Sequence, residues 1–441
     1  KNLSHLSYHY EWLLAWTGLG SDLSRTNFVT DKNRQQFNFK DRNASTERWI
    51  SQNGNVFHNR YVSKDKETFV VDYFTQQYSK DENQNFDSQF LILSLYTDLY
   101  LAYAMATMPE KFTAGGKGTV EGRPSEILLY QFNEKAKPMK VHVEPATGYV
   151  LDTERVSGSG TVTRIIFERH TQKGGLLFAK QNRVFSNGDL VYYSVDNSIS
   201  TKAFSNQVFE LEQGLTKQTD LIDASEMKMQ KIDRNTYHVG IDGAFSTFYK
   251  NQGHLVGVNT YGGLNDRITE LRKTEQSPLK YMVITHHHMD HVAGVKEAID
   301  AGVTLIMTEM TQQYLTESSD RNLDGGEVIV VKDKLELGDI QIFMVNTNHA
   351  AENLIVYHKK DKALFQDDHY NAETQGKHSH INQSGLVLNQ RLSDLNLDID
   401  WILGGHAPKA ESWKDFQKAV SANFIGNVCV NGSPICVDEK F

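Results

Sequence analysis

The sequence predicts a protein of the α/β (α+β) class with two domains. Residues 1–222 are expected to form an α+β domain with a curved antiparallel meander, and residues 223–441 a layered α/β domain. The chain has 441 residues, more than a single hydrophobic core usually organises. From about residue 118, short β-branched and aromatic runs alternate with Gly, Asn-Gly and Pro, as in antiparallel hairpins. Beyond the polar stretch 211–226, apolar strands alternate with helical stretches, which is typical of a layered α/β fold.

The first domain combines helix-like and strand-like stretches. Residues 5–19 and 88–108 are predicted to form helices, and Asp98 inside the second run favours a buried helix over a membrane span. Turns are predicted at Thr147-Gly148 and at Asn187-Gly188. The rhythm of residues 143–190 resembles the half-barrel sheets of periplasmic lipoprotein carriers, which implies a similar sheet here.

Composition and charge restrict the partners of the chain. The formal net charge is −9 at pH 7, which argues against nucleic acid as the main partner because lysine and arginine supply affinity for phosphates. The same charge disfavours anionic membrane surfaces, and we expect no stable membrane insertion. The expected partner is a small-molecule substrate, and homo-oligomerisation stays open.

Two cysteines, Cys429 and Cys436, lie in the stretch NVCVNGSPICVD. The Asn431-Gly432 turn signal between them favours a hairpin in which the thiols face each other. A disulfide there predicts an oxidising compartment, so that the protein would be periplasmic or secreted. The alternative is a cytoplasmic protein in which both residues are small buried hydrophobes.

The stretch THHHMDHVAG, residues 285–294, contains an H-x-H-x-D-H pattern. It follows the apolar strand KYMVIT and precedes helical text, so residues two apart on leaving the strand can face one ion. These two are His286 and His288, whereas Asp290 and His291 can face a second ion. Imidazole and carboxylate suit zinc or another first-row ion. The alternative is a solvent-exposed histidine-rich loop, and His287 is expected at the surface or behind the ligands.

Three later segments each place an imidazole or carboxylate just after a strand, where α/β sheets collect their ligands. They contain Asn348-His349, Asp367-Asp368 and Gly-Gly-His406. With the H-x-H-x-D-H motif, this order resembles the metallo-β-lactamase superfamily over roughly residues 224–441. The resemblance implies an αββα sandwich with metals at one edge of its two sheets.

The resemblance also implies a ligand set for two Zn²⁺ ions per chain, with iron or manganese as alternatives. One ion would be held by His286, His288 and His349. The second would be held by Asp290, His291 and His406, and Asp368 would bridge both ions. Asp368 is preferred over its neighbour because the family pattern reads Leu-Phe-x-Gly-Asp.

The sequence departs from the family pattern at two places. Asp367 stands where the family usually has glycine, and could add negative charge or bond groups behind the ligands. Asn259-Thr260 stands where many members have Asp-Thr-Gly, so that support of His286 or its neighbours would be softer.

These residues predict a dinuclear metal-dependent hydrolase in which a hydroxide shared by the ions attacks an ester-like bond. Asp290 would orient the hydroxide and transfer its proton. With an aspartate at position 368, the chain resembles the lactonases and thioesterases of the superfamily. The resemblance implies that the substrate is a lactone, a carboxylic ester or a thioester. A β-lactam or sulfate ester is the alternative, and a carrier of lipophilic ligands with structural metal is the non-enzymatic one.

The stretch 367–385 is expected to overhang the site. A solvated polar loop explains the same text without any role in binding. Four of its residues are candidates for substrate contact, namely His369, Tyr370, His378 and His380.

Overall fold

The computed structural model of the chain describes residues 3–16, 22–23, 27–52, 55–64, 66–73, 76–82, 84–92, 97–132, 137–157, 160–194, 197–218, 226–317, 323–370 and 381–422. The chain divides into two compact units, one comprising most of the described residues up to Lys217 and the other those from Gln218 onward. The predicted boundary between residues 222 and 223 lies outside the described residues and stays a prediction.

The described residues of the first unit form one sheet of 15 strands. Its order is β15-β6-β5-β4-β3-β2-β1-β13-β12-β11-β10-β9-β8-β7, with β14 paired to β1. The strands are β1 His5–Trp16, β2 Asn27–Asn38, β3 Asn43–Gln52, β4 Asn55–Lys64, β5 Glu67–Asp72, β6 Gln77–Lys80, β7 Phe112–Val120, β8 Arg123–Tyr130, β9 Met139–Val143, β10 Val150–Val156, β11 Val162–Lys173, β12 Leu176–Ser186, β13 Asp189–Ser194, β14 Ser198–Ser200 and β15 Thr216–Lys217.

The helix predicted over residues 5–19 is wrong, because β1 covers His5–Trp16. In this stretch Leu6, Tyr8, Tyr10 and Trp12 are buried, and their spacing of two residues is that of a strand with one face in the core. The aromatic side chains also favour a strand over a helix. The many apolar residues of the stretch concealed this alternation.

The apolar run 88–108 forms two helices, α1 Phe86–Ile92 and α2 Leu99–Thr107, rather than one. Both contribute to the same core as the strands, through Phe90, Leu101 and their neighbours. The hairpin turn at Asn187-Gly188 is confirmed, since β12 and β13 pair antiparallel and both turn residues have positive φ.

A buried carboxylate begins α2 and makes the first unit sensitive to pH. Asp98 accepts hydrogen bonds from the backbone N–H of Ala179 at 3.0 Å and the hydroxyl of Thr97 at 3.4 Å, and Nε2 of His170 lies 3.8 Å from it. Burial raises the pKa of Asp98 to about 7. Between about pH 4 and pH 7 the folded state therefore binds more protons than the unfolded state, so its stability falls as the pH rises.

We expect Asp98→Asn to remove this dependence, because asparagine retains the acceptor for Ala179 but does not ionise. The variant should unfold at a temperature several degrees higher than the wild-type chain at pH 8, and at a similar temperature at pH 5. Thermal denaturation of the full chain at both pH values measures the difference. A variant and a wild type that respond equally to pH would contradict the assignment.

The second unit contains two sheets, of seven and six strands. Strands β16–β22 follow chain order in the first sheet and β23–β28 do so in the second. The first sheet consists of β16 Lys228–Lys231, β17 Thr236–Ile241, β18 Ala244–Asn251, β19 His254–Val258, β20 Leu279–Val283, β21 Thr304–Met307 and β22 Val328–Val330. The second consists of β23 Lys334–Leu337, β24 Ile340–Val345, β25 Asn353–His358, β26 Ala363–Phe365, β27 Trp401–Leu403 and β28 Glu411–Ser412.

In the described part of this unit, five α-helices cover the outer faces of these sheets. They are α3 Leu264–Arg272, α4 Val295–Asp300, α5 Glu309–Glu317, α6 Gln383–Leu395 and α7 Trp413–Ala422. The first three pack on the seven-stranded sheet through residues such as Leu264 and Val295, and the last two on the six-stranded sheet through Leu388 and Phe416. A third apolar cluster joins the inner faces of the two sheets. The predicted αββα sandwich is therefore confirmed.

Two predictions from the sequence concern membrane insertion and a disulfide. No described helix is long and apolar enough to cross a membrane. Cys429 and Cys436 lie outside the described residues, so the predicted disulfide and the compartment inferred from it stay predictions.

Candidate metal centre

The ends of four strands bring the predicted ligands together. The His286–His291 segment follows β20, and His349 lies in the connection between β24 and β25. Asp368 follows β26 and His406 follows β27, and these two strands are parallel neighbours, so their carboxyl ends share one edge of the sheet. A backbone hydrogen bond of 2.8 Å from Leu354 to Thr285 links the two sheets beside the cluster.

A first group consists of His286, His288, His349 and Asp368, whose donor atoms all lie within 4.8 Å of one another. The Nε2 atoms of His286 and His349 face each other at 3.2 Å. An oxygen of Asp368 lies 3.2 Å from Nε2 of His349. Three imidazoles and one carboxylate thus converge on one point.

A second group consists of Asp290, His291 and His406. Oδ2 of Asp290 lies 3.1 Å from Nε2 of His291 and 3.5 Å from Nε2 of His406. The other ring nitrogen of His406 donates a hydrogen bond of 2.7 Å to the carbonyl of Gly243. This bond directs Nε2 of His406 towards the cluster.

Asp368 faces both groups. Its Oδ2 lies 3.2 Å from Nε2 of His291, and its Oδ1 lies 3.3 Å from Nε2 of His406. The same Oδ2 is the atom that approaches His349 in the first group. All seven predicted ligands therefore lie in one continuous cluster.

The spacing of the donors fits metal ions. Around a tetrahedral zinc ion with ligands at about 2.0–2.2 Å, neighbouring donor atoms are about 3.3–3.6 Å apart. The contacts of Asp368 and Asp290 with His291, His349 and His406 lie between 3.1 and 3.5 Å, and the contact of Asp368 with His286 is 4.0 Å. The donor set of nitrogen and oxygen atoms suits zinc, iron or manganese.

The titration behaviour of the cluster also favours cations. Burial, reinforced by His291, lowers the pKa of His286 to about 3, so its imidazole is neutral. Burial opposes charge on His406, but Asp368 and Asp290 outweigh it and raise the pKa of His406 to about 11. Without cations, the carboxylates of Asp368 and Asp290 thus keep the imidazole of His406 protonated at neutral pH. A bound metal ion would replace that proton.

Exposure distinguishes the two sides of the cluster. The side chains of His286 and His291 are fully buried, whereas those of Asp290 and His406 are 42% and 36% exposed. Met289, beside Asp290, is 45% exposed. Among the described residues, the second group is therefore the more solvent-exposed side of the cluster.

Asp367, the departure from the family glycine, lies behind the ligands. Its side chain contacts the Nδ1 atoms of His286 and His291 at 3.2 and 3.1 Å. These three residues also converge closely enough to hold an ion. However, the oxygens of Asp367 already accept hydrogen bonds from Thr285 and Asn259, so we interpret this group as support for the ligands.

Asn259, the other departure, supports His291 rather than His286. Its amide oxygen lies 3.0 Å from Nδ1 of His291, and its amide nitrogen donates to Asp367 at 2.7 Å. Asn259 and Asp367 are thus bonded to each other behind His291.

Two of the four residues predicted to contact a substrate lie among the described residues. His369 is buried and bonded to Gln366 and Asn353, and Tyr370 is buried and bonded to Glu411. Neither residue is solvated, and their role in binding stays a prediction. The other two candidates, His378 and His380, lie outside the described residues.

His287, expected at the surface or behind the ligands, is buried, and its ring packs against Tyr314 and His288, so of these two positions it takes the one behind the ligands. Tyr261 was not predicted. Its ring packs on His291 and its hydroxyl lies 3.4 Å from Nε2 of His406. Its position two residues after Asn259 was the only signal in the sequence.

Comparison with known proteins agrees with this geometry. Residues 262–406 match the family described as the metallo-beta-lactamase superfamily. This match indicates a metal-dependent hydrolase.

Similar solved structures include the DIM-1 metallo-beta-lactamase, with 21% identity over 44% of this chain and 96% of that chain and a TM-score of 0.36. A metallo-beta-lactamase from Pontibacter korlensis has 17% identity over 44% of this chain and 98% of that chain, with a TM-score of 0.35. One from Hirschia baltica has 14% identity over 45% of this chain and 97% of that chain, with a TM-score of 0.37.

Proposed function

We propose, on the premise that residues 262–406 belong to the metallo-β-lactamase superfamily, that this chain is a dinuclear metal-dependent hydrolase. Its proposed substrate is a small molecule with an ester-like bond, namely a lactone, a carboxylic ester or a thioester. The observation that carries the proposal is the position of Asp368, which faces the imidazoles of both groups.

The proposal assigns the two groups to two cations. His286, His288 and His349 would hold the first cation. Asp290, His291 and His406 would hold the second, and Asp368 would contact both. Zinc is the proposed ion because imidazole nitrogens and carboxylate oxygens are among its usual ligands.

Two divalent ions, when bound, lower the pKa of a water that they share towards neutrality. The proposed role of Asp290 is to hold the proton of that water and to pass it to the leaving group. Its hydrogen bonds with His291 and His406 outweigh the effect of burial and hold its pKa below the usual value. The carboxylate is therefore ionised at neutral pH and, being 42% exposed, is accessible to a substrate.

The surface beside Asp290 agrees with a small, partly apolar substrate. Met289 exposes a flexible apolar side chain next to the proposed base. His406, on the same open side, presents an imidazole edge. A polyanionic substrate such as RNA would meet the carboxylates of Asp290 and Asp368 here, and the formal net charge of −9 disfavours it as well.

Turnover and metal content measured on the same preparation test the proposal. The zinc-loaded protein would be offered lactones, thioesters, β-lactams, sulfate esters and phosphodiesters, and its metal counted by elemental analysis. Two ions per chain with hydrolysis of a lactone or another ester supports the proposal. Hydrolysis of the β-lactam or sulfate ester alone supports the alternative substrates. One tightly held ion without turnover supports the carrier.

A further inference from the structure

Asp367 occupies a backbone position that is unfavourable for its side chain. Its φ is 60°, in the left-handed region that favours glycine, and its side chain is fully buried. A non-glycine residue in this conformation is strained, and such strain is concentrated at functional sites. The contacts of the carboxylate show what offsets this strain.

One oxygen of Asp367 meets a ligand of each group. Its Oδ2 lies 3.2 Å from Nδ1 of His286 and 3.1 Å from Nδ1 of His291, and accepts a hydrogen bond from the hydroxyl of Thr285. Its Oδ1 accepts a hydrogen bond of 2.7 Å from the amide of Asn259. The carboxylate is therefore held on both oxygens.

A carboxylate at Nδ1 determines how an imidazole binds metal. When the group beside Nδ1 accepts its proton, the lone pair is on Nε2 and the ring is fixed in orientation. The hydrogen-bond partner of Nδ1 is the Asn259 oxygen for His291, at 3.0 Å, and the Thr285 hydroxyl for His286, at 3.1 Å. Asp367 accepts a hydrogen bond from Thr285 and donates none, and its Oδ2 lies within ion-pair distance of both rings. In this chain Nε2 of His286 faces the first group and Nε2 of His291 faces the second. Asp367 therefore lies behind a ligand of each group.

Room for this carboxylate depends on a glycine in the neighbouring strand connection. A Cβ atom at Gly405 would lie 2.0 Å from Oδ1 of Asp367 and 2.9 Å from the amide nitrogen of Asn259. Gly405 directly precedes the ligand His406. The close approach shows that Asp367 is built into the packing of the site.

We propose that Asp367 is a positioning residue that orients one metal-binding imidazole of each cation, so that its loss weakens both metal positions together. This inference rests on the two-cation centre proposed above. It does not depend on the reaction that the centre performs.

Metal affinity of the Asp367→Asn variant is the test. The affinity of each zinc ion would be measured by competition with a chromophoric chelator, for the wild-type chain and the variant. We expect both ions to bind about 10- to 100-fold more weakly in the variant, since this is the usual effect of removing such a support. Wild-type affinity at either position would overturn the proposal.

Asp361→Asn is the matched control. Asp361 is also a buried carboxylate of the second unit, but it bonds to Asn235 and Thr236 instead of to predicted ligands. Its replacement should lower thermal stability and leave zinc affinity unchanged. Equal losses of zinc affinity in both variants would mean that any buried defect disturbs the site, and would overturn the proposal.

Returning a carboxylate from the opposite side provides a rescue experiment. Asp367→Gly combined with Asn259→Asp places a carboxylate where the Asn259 oxygen now lies 3.0 Å from Nδ1 of His291. The double variant should bind the cation of His291 more tightly than Asp367→Gly alone does, while the cation of His286 stays weak. Equal recovery at both positions, or none at either, would contradict the assigned contacts.

These readouts separate the inference from the proposed function. A wild-type chain that binds two ions without turnover would remove the hydrolase but leave the role of Asp367 to be tested as described. A wild-type chain that binds fewer than two ions would overturn both.

Discussion

Asp290→Ala is expected to abolish turnover of the ester substrate while the second unit stays folded. The side chain is 42% exposed, and its described contacts are with His291 and His406, so its removal leaves no apolar cavity. Loss of a positioned acid–base group usually costs about 10²- to 10⁴-fold in rate. Steady-state kinetics at saturating zinc, with circular dichroism as the check on folding, measures the effect.

Asp290→Asn separates the two roles of this residue. The amide oxygen can still bind a cation, but the amide cannot accept a proton at neutral pH. We expect this variant to retain much of its second ion and to lose turnover nearly as strongly as the alanine variant. Asp394→Ala, in an exposed carboxylate of α6, is the control and should have wild-type activity. Full activity in Asp290→Ala would exclude this residue from the mechanism.

Asp368→Ala is expected to have the second large effect, on metal content as well as on rate. Its carboxylate approaches His349 in the first group and His291 and His406 in the second. Removing it deletes a ligand of both cations and leaves facing imidazoles without a counter-charge. We expect binding of both ions to weaken by at least about 10²-fold and turnover to fall with it.

Asp368→Asn provides the comparison for this variant. The amide keeps the volume and one ligating oxygen, so the packing around the site is preserved while the bridging charge is lost. Zinc titration monitored by calorimetry should show one retained ion at most. If both ions bind to Asp368→Ala as they do to the wild type, Asp368 does not bridge them.

The sequence predicted the second unit better than the first. Strands such as β20 and β27 are short apolar runs, and each is followed within three residues by a predicted ligand, His286 or His406. A polar side chain at the end of an apolar strand is typical of a functional site in an α/β fold. Residues far apart in the chain, such as His286 and His406, could thus be placed at one sheet edge. The seven residues meet because parallel and antiparallel strands deliver their ends to the same edge.

The sequence did not predict features that depend on tertiary contacts. The strand β1 was wrongly predicted as a helix. Buried and more exposed residues alternate along it, but most residues on both faces are large, so the sequence does not show the alternation. The sequence showed that Asp367 stands where the family pattern has glycine. The contacts of Asp367 with two imidazoles, however, depend on its left-handed backbone conformation and on the space beside Gly405. Neither property has a signature in the local sequence.

Anomalous X-ray diffraction at the zinc edge, from crystals of the zinc-loaded protein, tests the two-cation centre most directly. We expect two peaks about 3.5–4 Å apart, on either side of the Asp368 carboxylate. One peak should be bound by His286, His288 and His349, and the other by Asp290, His291 and His406. A single peak within the cluster, or zinc bound elsewhere while these side chains bind none, would contradict the two-cation centre.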